Sequence, residues 1–154
     1  MAALAVRPVM EFTPRAQKAF RLAEAEARSF GHTPTGSHHL VLGLFLLKSG
    51  VHFHVLQSLG CTVQSLRQAV ESIGTVSEQV QPVSGLELGE SAAHAVERAG
   101  GEAAAMSHSY VGTEHILLGL LAEEQAGPAS KLFAAQHVDR AKAREEILHE
   151  YGQV

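Results

Sequence analysis

The sequence predicts an all-α protein: eight helices and no sheet, arranged as two tandem four-helix repeats packed with pseudo-twofold symmetry. Three observations predict it. The composition is 45% hydrophobic but only 5% aromatic, with no Trp, so the interior is built from small aliphatic residues that favour helices. The chain repeats itself internally. Helix start and stop signals then recur at matching places in the two copies.

At an offset of 76 residues the chain matches itself at Ala16/Ala92, Ala19/Ala95, Ala23/Ala99, Glu26/Glu102, Ala27/Ala103, His32/His108, Gly36/Gly112, His39/His115, Leu42/Leu118, Gly43/Gly119 and Leu44/Leu120. These are 11 identities in 29 positions. After one inserted residue the offset becomes 77, pairing Gly50 with Gly127, Leu56 with Phe133, Arg67 with Arg144 and Val70 with Ile147. One unit is therefore written twice. The expected layout is a flexible tail over residues 1–10, a first repeat over 11–73, a linker over 74–87 and a second repeat over 88–152, forming one compact domain.

In the first repeat, Thr13 is an N-cap and Pro14 takes the first helical position, where a missing N–H costs nothing. Ala16, Ala19, Phe20, Ala23, Ala27 and Phe30 follow at spacings of three and four, and Gly31 ends the helix. Ser37 is expected to cap a second helix, apolar on nearly every side from Leu40 to Leu47 and hence the most buried. A short third helix carries Phe53, Val55, Leu56 and Leu59 as far as Gly60. Thr62 then caps a fourth, holding Val63, Leu66, Val70 and Ile73. The second repeat reads the same way: a helix from Glu90 to Met106, a Thr113-capped apolar helix to Ala122, a short helix from Pro128 and a last helix from Val138 to Glu150. Residues 74–87 contain Gly74, Ser77, Pro82, Ser84 and Gly85 without helical periodicity, the pattern of a linker. The alanines repeated on each first helix let helices approach closely.

The formal net charge is −4, unevenly placed: residues 1–77 carry seven basic and four acidic side chains, residues 78–154 five and twelve. An acidic half without clustered Lys and Arg argues against a nucleic-acid partner. It would favour a basic one, or simply reflect solvated helix faces. The single cysteine, Cys61, cannot form an internal disulfide, which suits a reducing compartment and a cytoplasmic location. Set between two short helices without an identifiable base, it reads as a buried, inert thiol. The longest apolar run, Leu40 to Leu47, is eight residues, far short of the roughly 20 needed to span a bilayer. A soluble protein with no membrane partner is expected.

Catalytic patterns are missing. The segment Gly43–Ser49, with Lys48 before its Ser, is the nearest approach to a phosphate-cradling loop, but it lacks the second Gly, is one residue short and lies in the most apolar helix. No zinc-protease helix, cysteine pair or nucleophile elbow is present. No enzyme activity, cofactor or metal is expected. Of ten histidines, His38-His39 and His52-x-His54 are the obvious metal candidates. Adjacent or alternate positions on a helix project too far apart to share an ion readily. His39 and His115, one step inside a helix start in each repeat, read instead as packing histidines bonded to a loop carbonyl.

The segment Gly112-Thr113-Glu114-His115-Ile116-Leu117-Leu118-Gly119-Leu120, its echo Gly36-Ser37-His38-His39-Leu40-Val41-Leu42-Gly43-Leu44, and Phe12-Thr13-Pro14-Arg15-Ala16 resemble the amino-terminal repeat domain of Clp-family unfoldases, particularly the ClpC type. The resemblance covers about residues 11–152. It implies a non-catalytic module that recognises substrates or adaptors, or docks on Clp ATPase or protease subunits. A chain that stops after this domain is expected to act as an accessory or decoy. A stabilising subunit of a protease core, or a binder that sequesters a small molecule or modified peptide, are the alternatives.

Relatives of the ClpC type recognise phosphorylated arginine. The resemblance assigns the Glu of Gly-Thr-Glu-His to the guanidinium and the Thr before each repeat's first helix to the phosphoryl group, which is sound chemistry for a carboxylate and a helix N-terminus. The corresponding residues here are Thr13, Ser37, His38, Thr113 and Glu114, with Gly36, His39, Gly43, Gly112, His115 and Gly119 as the structural frame. The first repeat keeps Thr13 but has His38 for Glu; the second keeps Glu114 but has Gly89 for Thr. Degenerate binding of such a ligand is therefore expected.

Overall fold

Eight helices lie where the sequence places them in the computed structural model, which describes residues 11–153: α1 (Pro14–Ser29), α2 (Ser37–Phe45), α3 (Val51–Ser58), α4 (Val63–Ile73), α5 (Glu90–Ala105), α6 (Thr113–Leu121), α7 (Pro128–Ala135) and α8 (Arg140–Glu150). The tail expected over residues 1–10 lies outside the described residues. Two caps hold as predicted. Thr13 Oγ1 accepts from the Ala16 amide at 3.1 Å, and Thr62 Oγ1 accepts from the Ser65 amide at 3.0 Å.

Three details differ from the expectation. Ser37 and Thr113 are the first residues of their helices, and the caps are Gly36 and Gly112. The last helix is capped by Asp139, whose carboxylate accepts from the Lys142 amide. Short strands are also present, against the expectation of none. Glu11–Phe12 (β1) pairs in parallel with Tyr110–Val111 (β4), and Val80–Val83 (β2) pairs antiparallel with Leu86–Gly89 (β3). The second pair is a hairpin that begins within the expected linker and runs two residues past its end. Its turn residues Ser84 and Gly85 have φ of 49° and 82°, the left-handed pair that a tight two-residue hairpin requires.

The repeats are stitched together crosswise. The Thr13 amide, opening α1, donates to the Val111 carbonyl before α6 at 3.0 Å, and the Gly89 amide, opening α5, donates to the Thr35 carbonyl before α2 at 2.8 Å. These two bonds are equivalent under the repeat offset. Each first helix therefore starts against the loop that leads into the other repeat's central helix.

The repeated Ala and Gly positions are helix-crossing positions. Ala16, Ala19, Ala23 and Ala27 on α1, and Ala92, Ala95, Ala99 and Ala103 on α5, are all buried. A Cβ at Gly43 would run into the Ala19 carbonyl and lie 2.9 Å from the Ala23 amide. One at Gly119 would run into the Ala95 carbonyl and lie 3.0 Å from the Ala99 amide. Backbone-to-backbone contact of α1 with α2, and of α5 with α6, thus requires Gly at these places. Leu42 and Leu118, next to those glycines, are fully buried. Cys61 is buried too, and burial pushes its thiol up to about 11, as suits an unreactive side chain.

Candidate binding site

Each central helix begins with a two-histidine relay. The Gly36 amide can only donate, so the His39 Nδ1 that it meets at 2.8 Å carries a lone pair, and Nε2 carries the proton. That Nε2–H donates to His32 Nδ1 at 3.0 Å. In the second repeat the Gly112 amide donates to His115 Nδ1 at 2.9 Å, and His115 Nε2–H donates to His108 Nδ1 at 2.8 Å. The packing histidines therefore bond a loop amide, where a loop carbonyl was expected, and they cap the glycine-started helices. His32 and His108 are partners that spacing alone did not reveal, although both are matched in the internal repeat.

His38 and Glu114 complete each cluster. His32, His38 and His39 place ligand-capable atoms within 4.8 Å of one another, as do His108, Glu114 and His115. The relay spends the lone pairs of His39 and His115 on backbone amides and those of His32 and His108 on the relay bond, so these clusters are hydrogen-bond chains. His38 Nε2 donates to the Gly74 carbonyl at 2.9 Å, leaving Nδ1 against Gly36 without a hydrogen-bond partner. Burial lowers His38 to about 4 and His39 to about 3, so both are neutral near pH 7. Glu114 is 7% exposed, its carboxylate packed on Gly112. Burial, then the Glu114 charge, pushes the Tyr151 hydroxyl up to about 12 and raises Tyr110.

The remaining predicted residues fall at the two crosswise junctions, Thr13 and Thr113 at one and Ser37 at the other. Ser37 faces the other repeat: its amide donates to Ser91 Oγ at 2.9 Å and its hydroxyl accepts from the Ala129 amide at 3.0 Å. Thr113 is buried. Thr13 caps α1 beside β4. At α5 the cap position is Gly89, and the anion site is already filled: Glu78, from the segment after α4, accepts from the Ser91 amide at 3.1 Å and from Ser91 Oγ at 3.0 Å. A Cβ at Gly89 would collide with the Glu78 carboxylate and lie 2.9 Å from Pro34. Nothing in the spacing flagged Glu78, because its role arises only when the linker folds back across α5.

The other motifs resolve into structure. Gly43 lies inside α2, and the amides of Leu46, Leu47 and Lys48 donate to helical carbonyls, so this segment is no phosphate cradle. His52 is buried and donates from Nε2 to the Leu44 carbonyl at 2.9 Å, closing the end of α2, whereas His54 on the same helix is exposed. Among the described residues no helix is long and apolar enough to cross a membrane.

Residues 11–136 match the Clp repeat (R) N-terminal domain. The chain is 39% identical over 141 residues to the chaperone protein ClpB of Oceanobacillus iheyensis, covering 92% of this chain and 17% of that protein. It is 39% identical over 142 residues to the negative regulator of genetic competence ClpC/MecB of Bacillus subtilis, again covering 92% of this chain and 17% of that one. The chain thus spans about a sixth of the length of these curated relatives. Among solved structures, the N-terminal domain of ClpD from Arabidopsis thaliana superposes with a TM-score of 0.73 at 23% identity, covering 97% of this chain and 99% of that one. The Hsp104 N-terminal domain from Candida albicans gives 0.72 at 17% identity, covering 94% and 93%. These last two show the shared fold.

Proposed function

The chain belongs to the Clp repeat N-terminal domain family, and from that membership we propose that it is a non-catalytic protein-binding module of Clp-type protein quality control. It recognises substrates or adaptors, or docks on Clp ATPase or protease subunits, in the cytoplasm. The observation that carries this reading is the family match over residues 11–136. The test is a surface-binding measurement with the chain immobilised and a purified Clp ATPase, its protease partner and a Clp adaptor supplied in turn. Saturable binding to at least one is expected. A folded chain that binds none of them overturns the reading.

Phosphoarginine is not the ligand on this reading. Recognising it takes an available carboxylate for the guanidinium and a free helix N-terminus for the phosphoryl group. His38 is neutral and already bonded to Gly74, Glu114 is buried against Gly112, and Glu78 occupies the start of α5. Calorimetric titration of free phosphoarginine should give no measurable heat with the unmodified chain. His38→Glu combined with Gly89→Thr should not restore binding either, because the threonine meets Glu78. Tight binding that Glu114→Ala abolishes would defeat this view.

A further inference from the structure

A groove of about 690 Å³ runs between the start of α5, the segment before β2 and the loop joining α6 to α7. Its wall carries Glu78, Glu90, Glu123 and Glu124, with Arg98 and His94. Four carboxylates thus stand against one guanidinium, in the acidic half of the chain. Glu78 is held by Ser91, and Glu90 accepts from the Gln79 amide at 3.0 Å. Glu123 is different. It is 5% exposed, its Oε1 accepts from the Ser130 amide at 2.9 Å, and its Oε2 has no hydrogen-bond partner among the described residues. The nearby Arg140 spends its Nη1 on the Glu123 and Leu121 carbonyls and on Ser130 Oγ, and forms no ion pair with the Glu123 carboxylate among the described residues. A buried carboxylate oxygen left unpaired is costly, and a donor that reached it from the groove would relieve that cost.

Arg98 supplies the complementary defect. Its Nε donates to the Gly119 carbonyl at 2.8 Å, while its buried Nη2 has no partner among the described residues. An occupant that satisfies both walls must present a cation to Glu123 and an acceptor to Arg98. A peptide does so with one basic side chain and a backbone carbonyl. The planar guanidinium of arginine, with five donors, can also bridge two carboxylates, which a lysine ammonium does less well.

We propose that this groove docks an unphosphorylated arginine side chain of a partner polypeptide, with Glu123 and Glu78 receiving the guanidinium and Arg98 an adjacent backbone carbonyl, an inference that rests on the protein-binding reading above. The groove's size suits such a segment. The phosphoryl group of a modified arginine would meet a helix N-terminus already filled by the Glu78 carboxylate, so charge selects the unmodified side chain.

The test is an NMR titration of the folded, isotope-labelled chain with the acetylated, amidated pentapeptide Ala-Ala-Arg-Ala-Ala. Saturable shifts are expected at the amides of Ser91, Arg98, Glu123 and Glu124, weakened about tenfold by Glu123→Gln, which keeps an acceptor for Ser130 but removes the charge. Glu124→Gln, at an exposed position with no bond to lose, should weaken binding less and guards against misfolding of the first variant. Ala-Ala-Gln-Ala-Ala, the phosphoarginine version of the peptide, and spermidine should each bind more weakly. Four results would overturn the proposal: shifts that never saturate or that map elsewhere, affinity unchanged in both variants, stronger binding of the phosphorylated peptide, or spermidine binding as tightly as the peptide. A silent groove in a chain that still binds a Clp subunit removes this inference alone and leaves the protein-binding reading standing.

Discussion

In the first repeat the side chain packed on the helix-starting glycine is His38, a neutral imidazole whose proton goes to the Gly74 carbonyl after α4. In the second it is Glu114, a carboxylate packed on Gly112 whose charge is felt by Tyr151, the residue that follows α8. Gly74 and Tyr151 correspond under the repeat offset, so exchanging donor for acceptor at one position goes with a changed partner at the other. The starts of the first helices diverge as well: α1 is capped by its own Thr13, α5 by Glu78 from the segment after α4. The relays, the crossing glycines and the alanine faces are held in common. The two repeats keep one packing scheme and part at the side chain packed on each helix-starting glycine and at the cap of each first helix.

If the packing scheme is truly duplicated, equivalent core truncations should hurt equally. Leu42→Ala and Leu118→Ala, each removing a fully buried side chain beside a helix crossing, should each cost about 2–5 kcal/mol in chemical denaturation. A cost below about 0.5 kcal/mol for either would show that its helix is not central. A large gap between the two would show that one repeat tolerates a cavity the other does not.

Acid should separate the repeats. His38, His39 and His52 all lie in the first and are lowered to about 4, 3 and 4, in each case chiefly by burial. For a histidine lowered from 6.5 on folding, the unfolded chain binds more protons between the folded value and 6.5. Stability is then fully present above about pH 6.5 and is lost as the pH falls toward the folded value. Each should cost about 1–2 kcal/mol by pH 5 relative to pH 7.5. In the second repeat His115 is lowered, again mainly by burial. His38→Glu, which makes the first repeat like the second at this position, should reduce the acid loss by about one histidine's share. Denaturation midpoints at the two pH values measure it, and a variant as acid-sensitive as the parent would mean that His38 protonates freely when folded.

The elements that sequence reveals well are those with a local cause. Thr13-Pro14, the Ala spacing on α1 and the apolar run of α2 fix helices through neighbours three and four residues away, and all eight helices followed. The hairpin at 80–89 was hidden because Pro82, Ser84 and Gly85 read equally well as linker punctuation; the crosswise bond from Gly89 to Thr35 and the buried Leu88 anchor it to distant parts of the chain. Ser37 and Thr113 looked like caps because the histidine side chain that performs the capping comes three residues later, a pattern outside the usual Ser, Thr and Asp signals. Glu78, Glu123 and Arg98 carry no sequence signal, for a different reason. Their meaning depends on which buried atoms remain unpaired, and that is a property of the packed structure.

The smallest effect concerns charge pairs that the repeat conserves. Glu26/Glu102 and Arg67/Arg144 are aligned in the sequence, and the structure joins them across each repeat: Arg67 Nε and Nη2 donate to both Glu26 oxygens at 2.9 and 3.1 Å, whereas Arg144 makes one contact with Glu102 at 2.9 Å. Both arginines are nearly half exposed and both glutamates mostly covered. Such pairs are screened by salt and lose side-chain entropy on forming, so each should be worth no more than about 1 kcal/mol. The two-pronged geometry at Arg67 favours that pair slightly. Double-mutant cycles through Glu26→Gln with Arg67→Gln, and Glu102→Gln with Arg144→Gln, should give couplings below about 1 kcal/mol, the first the larger, both shrinking when salt is raised. Equal couplings would mean that the second prong adds nothing. A coupling above about 2 kcal/mol in either repeat would mean that the pair is shielded from water, and would make this bridge between α1 and α4, or α5 and α8, a structural tie of the repeat.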